Sequence, residues 1–217
     1  MLERLPPRRL MPAVARPLEL RHHHLFTQRR GRRELIDTGS PLSLPAADLG
    51  SAAERVGVRF DRLVGMDELG SAPFLLDLPQ RRLLLDAPPA RADAFPVDFG
   101  LGVPRLRLSL EGRPLDAVLD TGAALSYLPA AVLPDAPPLG SYEDFHPVLA
   151  SPFCTELHRV EMQIGGRRLT TVAGRLPRIL QDALDLFGCR AILGLPVLRR
   201  AAMLLDPERG RGAWMAA

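Results

Sequence analysis

One phrase is written twice in this chain. Residues 34–49 read ELIDTGSPLSLPAADL and residues 117–133 read AVLDTGAALSYLPAAVL, so DTGxxLS recurs 83 positions on, and LPAA with its following leucine recurs 84 positions on. A second block follows in the same order: LVGMDELGSAPFLLD (63–77) aligns without gaps on ILGLPVLRRAAMLLD (192–206), matching Gly65 to Gly194, Leu69 to Leu198 and one LLD to the other. Two matched blocks in one order mark an internal duplication, which predicts two similar units related by a pseudo-twofold axis.

The units are unequal. Asp37 precedes Gly65 by 28 positions, whereas Asp120 precedes Gly194 by 74, which gives the second unit 46 extra residues. Within them, HRVEMQIGGRRLTTVAGRL (158–176) alternates apolar and polar residues about a GG turn, the pattern of a β-hairpin. Ile164, Gly165 and Gly166 fall at its predicted tip. The first unit has no room for such a hairpin.

Strand signals prevail elsewhere. LRLSLEGRPLDAVLDTG (106–122) reads as two strands joined at EGRP, the second running straight into DTG, and residues 18–39 repeat that design with a turn near RRGR. FLLDLPQRRLLLD (74–86) reads as another hairpin. Helical pattern is confined to short pieces, 45–57, 128–133, 195–200 and 177–187. The stretch APPARADAFPVDFG (87–100) is rich in Pro and Ala and lacks periodicity. The expectation is a mostly-β, two-lobed chain: a reduced N-terminal lobe at 1–88, a linker at 89–100 and a fuller C-terminal lobe at 101–217.

Composition removes several function classes. All 28 basic residues are arginine, yet the net charge is only +3 and the arginines are scattered, apart from short clusters such as RRGRR (29–33). A nucleic-acid groove needs a continuous basic face with stacking aromatics, and aromatics make up only 5% of this chain. No nucleic-acid partner is expected. The N-terminus lacks the apolar core of a signal peptide, and no stretch approaches the roughly 20 apolar residues that span a bilayer. The expectation is a cytoplasmic protein with no membrane partner. Cys154 and Cys189 fit a reducing compartment and have no metal-ligand spacing.

A strand running into D-T-G-[SA]-x-x-S, a short helix after it, and later an apolar-apolar-Gly before another helix resemble the aspartic peptidases. Two copies in one chain are similar to the bilobal pepsin-like form, while the compact size and the DTGA of the second copy look more like retropepsins and their bacterial relatives. The likeness covers most of residues 18–210. It implies an acid-protease-like fold, peptide-bond hydrolysis and a peptide or protein substrate bound extended between the lobes. It implies no metal and no organic cofactor, and favours a monomer that is a pseudo-dimer, with a homodimer as the other arrangement.

The chemistry gives the spacing a purpose. Hydrolysis without a metal or a covalent intermediate needs one carboxylate to take a proton from water and a second carboxyl to give one to the substrate oxygen. Two carboxyls a few ångströms apart cannot both ionise cheaply, so they share a proton and titrate as a pair; aspartic proteases are the standard instance of that splitting. Asp37 and Asp120 are the expected pair. By resemblance, Thr38 and Thr121 bond across the axis behind them, Gly39 and Gly122 let the loops turn tightly beside the carboxyls, and Gly65 and Gly194 mark a segment passing behind each loop. Ser40, matched by Ala123, is expected to donate its hydroxyl to Asp37. That would make Asp37 the more acidic partner and leave the shared proton on Asp120. The resemblance further implies a covering flap, which here can only be the 158–176 hairpin. The alternative function is a catalytically inactive peptide-binding protein that retains the fold.

The remaining polar and aromatic residues carry blander readings. His22, His23 and His24, placed on a strand, put at most two ligands on one face and have no third donor nearby, so they read as polar outer-face residues. His146 and His158 read as surface or loop residues. Tyr142 and Phe145 are open between lining a cleft and packing, and Trp214 reads as an anchor for a strand joining the lobes.

Overall fold

The computed structural model describes residues 13–91, 94–146 and 151–215. The first residues of the expected N-terminal lobe, two of the expected linker, residues 147–150 and the last two residues of the chain therefore lie outside the described residues. Strands dominate. The first half holds β1 (Val14–Arg21), β2 (His24–Arg29), β3 (Arg32–Ile36), β4 (Leu44–Pro45), β5 (Arg62–Val64), β6 (Phe74–Asp77) and β7 (Arg82–Leu85). Next comes β8 (Phe95–Asp98), inside the stretch read as linker. The second half holds β9 (Arg105–Leu110), β10 (Arg113–Asp120), β11 (Ser126–Leu128), β12 (Gly140–Phe145), β13 (Pro152–Ile164), β14 (Arg167–Arg175), β15 (Ala191–Gly194), β16 (Ala202–Asp206) and β17 (Arg211–Met215). Helices are short: α1 (Ser51–Arg55), α2 (Met66–Leu69) and α3 (Arg178–Leu186), the last burying Leu180 and Leu184. Among the described residues, no helix is long and apolar enough to cross a membrane.

Local sequence sets the hairpins. Arg30–Gly31 and Glu111–Gly112 both have positive φ, at 51° and 78° and at 48° and 80°, which is the geometry of a two-residue turn whose twist matches the strands it joins. These turns close β2 onto β3 and β9 onto β10. His22 and His23 also adopt positive φ, 45° and 66°, and close β1 onto β2. Placing the three histidines along one strand was therefore incorrect: two of them make the turn, and only His24 is in a strand.

Three sheets share their edges. The hairpins β1–β2–β3 continue through β5 to β4, and β8–β9–β10 continues through β15 and β11 to β14, β13 and β12. Between them an antiparallel sheet runs β1–β7–β6–β16–β17–β8. Its middle pair sets Leu75 opposite Leu204 and Leu76 opposite Met203, so the strands that carry the two LLD segments lie side by side. β8 joins this sheet through Phe95 and Pro96 and the second-half sheet through Val97 and Asp98, so part of the expected linker is a structural hinge between sheets. One core is continuous across both halves, with Leu18, Ile36, Leu76 and Leu83 in the same cluster as Leu108, Leu119, Leu193 and Leu205. Burial of this aliphatic surface, at roughly 25 cal/mol per Å², holds the two DTG loops in fixed relation.

Candidate active site

Each DTG loop is built on a parallel strand pair. β3 runs beside β5 with Ile36 opposite Val64, and the Asp37 N–H donates to the Val64 carbonyl at 3.1 Å. β10 runs beside β15 with Leu119 opposite Leu193 and Asp120 opposite Gly194. The chain then turns back under itself. The Met66 N–H bonds the Ser40 carbonyl at 2.9 Å, and the Leu195 N–H bonds the Ala123 carbonyl at 3.0 Å. A Cβ on Gly65 would stand 2.5 Å from the Leu42 carbonyl oxygen, and one on Gly194 would stand 2.1 Å from that of Leu125, so only glycine lets these segments pass. The Gly65 N–H is taken by the Ser43 hydroxyl at 3.0 Å and the Gly194 N–H by the Ser126 hydroxyl at 3.1 Å.

The loops interlock through threonine. Thr38 and Thr121 are both fully buried. The Thr38 N–H donates to the Thr121 hydroxyl and the Thr121 N–H to the Thr38 hydroxyl, each at 3.0 Å. The same hydroxyls donate onward, Thr38 to the Leu119 carbonyl at 2.7 Å and Thr121 to the Ile36 carbonyl at 2.8 Å. Four hydrogen bonds thus tie together the residues just before and just after the two aspartates.

Asp37 and Asp120 meet at this junction, with their carboxyls hydrogen-bonded to each other. Asp37 accepts the Gly39 N–H at 2.9 Å, and the amides of Ser40 and Gly122 lie near it. Asp120 accepts the Gly122 N–H at 2.8 Å and the Ala123 N–H at 3.0 Å. The approach leaves no room for a side chain: a Cβ on Gly39 would stand 2.3 Å from the Asp120 carboxyl carbon, and one on Gly122 would stand 2.7 Å from that of Asp37. Both aspartates are half-buried. Burial pushes both carboxyls above the ordinary range. Asp120 lies well above it because Asp37 adds its charge and the shared hydrogen bond, and the amide donors around Asp37 offset part of its own rise. Two such carboxyls in contact favour holding one proton between them.

Ser40 does not act as expected. Its hydroxyl donates to the Leu42 carbonyl at 2.7 Å, two residues on in its own loop, and only its main-chain N–H reaches Asp37. The proline at 41 and the tight return of the loop bring the Leu42 carbonyl within reach of the short side chain, which satisfies that carbonyl in place of the carboxylate.

The turn at Ile164, Gly165 and Gly166 exists, with φ of 53° and 80° at the glycines, but it is pinned away from any free tip. Ile164 is fully buried and pairs with Leu108 of β9, and its carbonyl accepts the Trp214 indole N–H at 2.7 Å. The Phe95 ring covers Gly165 so closely that a Cβ there would stand 2.0 Å from it. Trp214, in β17, anchors this corner to the central sheet. A different hairpin in the same insertion crosses to the first half. Among the described residues, β12 pairs only with the start of β13, from Gly140↔Leu157 to Phe145↔Pro152. Its Phe145 packs against Phe26, Leu35, Val56 and Leu63, with the Arg55 guanidinium 5.9 Å over the ring, and its Tyr142 meets His23 edge-on at 6.4 Å. Asp144 accepts the buried Tyr127 hydroxyl. Burial first, and then the Asp144 charge, drive that phenol to the neutral form.

Sequence reading missed β12, Asp144, Tyr127, His24, Ser43 and Ser126. The two serines were legible, since they end both copies of DTGxxLS. The others carry no repeat or motif. Among the described residues, no group of three or more His, Cys, Asp or Glu side chains is placed to hold a metal ion.

No family model matches the chain, and no curated protein matches it. Two solved structures align with 43% of it at 17% identity. The foamy viral protease–reverse transcriptase in complex with an RNA/DNA hybrid gives a TM-score of 0.35 over 11% of that chain, and the protease of simian foamy virus (mac), solved in solution, gives 0.33 over 90%. The chain thus spans about a tenth of the first of these proteins.

Proposed function

We propose that this chain is an aspartic-type endopeptidase, a two-lobed product of internal duplication that hydrolyses peptide bonds with a water held between Asp37 and Asp120. The observation that carries this reading is the close approach of two half-buried carboxyls, each on its own DTG loop and each lying against the glycine of the other loop with no room for a methyl group. In the singly protonated pair, Asp37 takes a proton from the water as its oxygen attacks the peptide carbon, while Asp120 gives its proton to the carbonyl oxygen. Collapse of the tetrahedral diol breaks the C–N bond. The proton on Asp37 goes to the leaving nitrogen, and the proton on the diol hydroxyl returns to Asp120. Atoms and charges balance over the cycle, and two carboxyls suffice for it.

An extended peptide fits the remaining architecture. Among the described residues β12 hydrogen-bonds to β13 on one side only and crosses to the first half through Phe145 and Tyr142, so its other edge offers main-chain donors and acceptors to a substrate strand. On this reading β12, rather than Ile164, Gly165 and Gly166, covers the cleft. Because both carboxyls come from one chain, a monomer is the proposed working unit.

Digestion of a random peptide library tests the reading. Cleavage by the wild-type chain that is lost in both Asp37→Asn and Asp120→Asn supports it, by roughly the 10²–10⁴-fold that general acid–base catalysis supplies. Saturable peptide binding with no cleavage at any pH from 3 to 8 would instead establish the non-catalytic binding protein.

A further inference from the structure

The pair of loops is close to symmetric, but one neighbour is not. Extending the β2–β3 register, Phe26 opposite Leu35, places His24 opposite Asp37. Extending the β9–β10 register, Val118 opposite Arg105, places Val103 opposite Asp120. Both side chains are buried, His24 at 8% exposure and Val103 at 0%. One is an imidazole and the other an aliphatic group.

The His24 ring faces the Gly122 carbonyl of the other loop, and it leaves its buried Nδ1 without a partner. An unpaired buried acceptor costs stability, and apolar Val103 in the matching place shows that the fold does not need a polar group there. The Gly122 carbonyl belongs to the Gly122–Ala123 peptide, whose N–H is the one donated to Asp120 at 3.0 Å. Donation to a peptide carbonyl strengthens the N–H on its far side and fixes the plane of the group.

We propose that His24 is a positioning residue for Asp120: from the first half of the chain it holds the Gly122–Ala123 peptide so that its N–H stays aimed at the Asp120 carboxyl, and it does so on one side of the pair only. The groups facing the imidazole are Asp144 on β12 and His22 and His23 in the β1–β2 turn. His23 is itself held by the Arg199 guanidinium at 3.3 Å. Burial lowers the His24 pKa, so the neutral, donating imidazole persists to more acid pH than that of a free histidine. The effect on Asp120 favours its ionised form, opposing the rise caused by burial.

This inference rests on Asp37 and Asp120 acting as a proton-sharing pair, but its test needs no turnover. Carboxyl ¹³C titrations of the folded protein, with Asp37→Asn and Asp120→Asn spectra identifying the two resonances, report the upper apparent pKa of the pair. In His24→Val that pKa rises by about half to one pH unit, the size expected for the loss of one hydrogen bond. In His24→Gln, which keeps a donor, it returns most of the way to wild type. An unshifted titration in a folded His24→Val protein overturns the proposal, as does a His24→Gln shift as large as that of His24→Val. His24→Leu serves as a second variant without a donor should valine not fold. A shifted titration in a protein that cleaves no peptide supports the positioning role while removing the peptidase reading.

Discussion

Thr38 and Thr121 exchange hydrogen bonds across the molecule, each hydroxyl accepting the other's N–H at 3.0 Å and donating to the carbonyl just before the other's aspartate. Two loops whose aspartates stand 83 positions apart in sequence are thereby fastened beside the place where their carboxyls meet. Removing either hydroxyl strands one buried N–H and one buried carbonyl, at about 1–3 kcal/mol each. Thr38→Val and Thr121→Val are each expected to lose roughly 2–6 kcal/mol in denaturant unfolding, and to lose it equally because the two sites mirror one another. Thr38→Ser keeps both bonds and should lose only about 1 kcal/mol, for the missing methyl.

The Ser40 hydroxyl is engaged by Leu42 and not by Asp37. Ser40→Ala is accordingly expected to leave the pH–rate profile of peptide cleavage in place, while Ser126→Ala, which strips the buried Gly194 N–H of its acceptor, costs about 1–3 kcal/mol of stability. A displaced acid or alkaline limb in Ser40→Ala would show that the hydroxyl serves the carboxylate after all.

Both carboxyls titrate above the ordinary range, so the folded chain binds protons that the unfolded chain has released. Stability therefore falls as pH rises from the ordinary carboxyl range through the upper apparent pKa of the pair, by about 1.4 kcal/mol for each unit of elevation, and stays lower above it. Asp120→Asn removes one of the two buried charges. Its melting temperature should exceed that of the wild type at pH 7, and the difference should shrink as the pH is lowered below the ordinary carboxyl range. A variant destabilised at pH 7 would show that the pair is not held under electrostatic strain.

Gly39 lies against Asp120 with no space for a methyl group, at 2.3 Å to the carboxyl carbon. In Gly39→Ala the two carboxyls must separate, and the expected result is loss of cleavage by roughly 10²-fold or more while most of the fold persists. Full activity would mean that carboxyl contact is not required.

The Phe145 side chain joins a strand of the second half to a core cluster of the first. Truncation to alanine removes a partly buried ring from that contact, and a cost of about 1–3 kcal/mol is expected, with a raised KM for long peptides and little change for short ones. An unchanged KM across peptide lengths would free β12 from any part in binding.

The paired DTGxxLS segments and the later glycines made the site legible because each is a backbone requirement: a turn beside a carboxyl, or a strand passing behind a loop, admits few residues, and the chain states them twice. Composition likewise dictated an aliphatic core, and the RRGR segment marked the turn that Arg30–Gly31 makes. What sequence could not rank were groups whose role depends on their neighbours. The Ser40 hydroxyl had two acceptors within reach, and loop curvature chose Leu42. The Gly165–Gly166 turn has the pattern of a free hairpin tip, and only packing of Phe95 and Trp214 pins it. His24 sits in a run of three histidines and is distinguished from the other two solely by lying one position past a turn, facing the opposite loop. Local backbone geometry is encoded within a few residues and so can be read along the chain, whereas contacts between segments some 80 to 130 positions apart are decided by how the two halves pack, and only the folded structure contains that information.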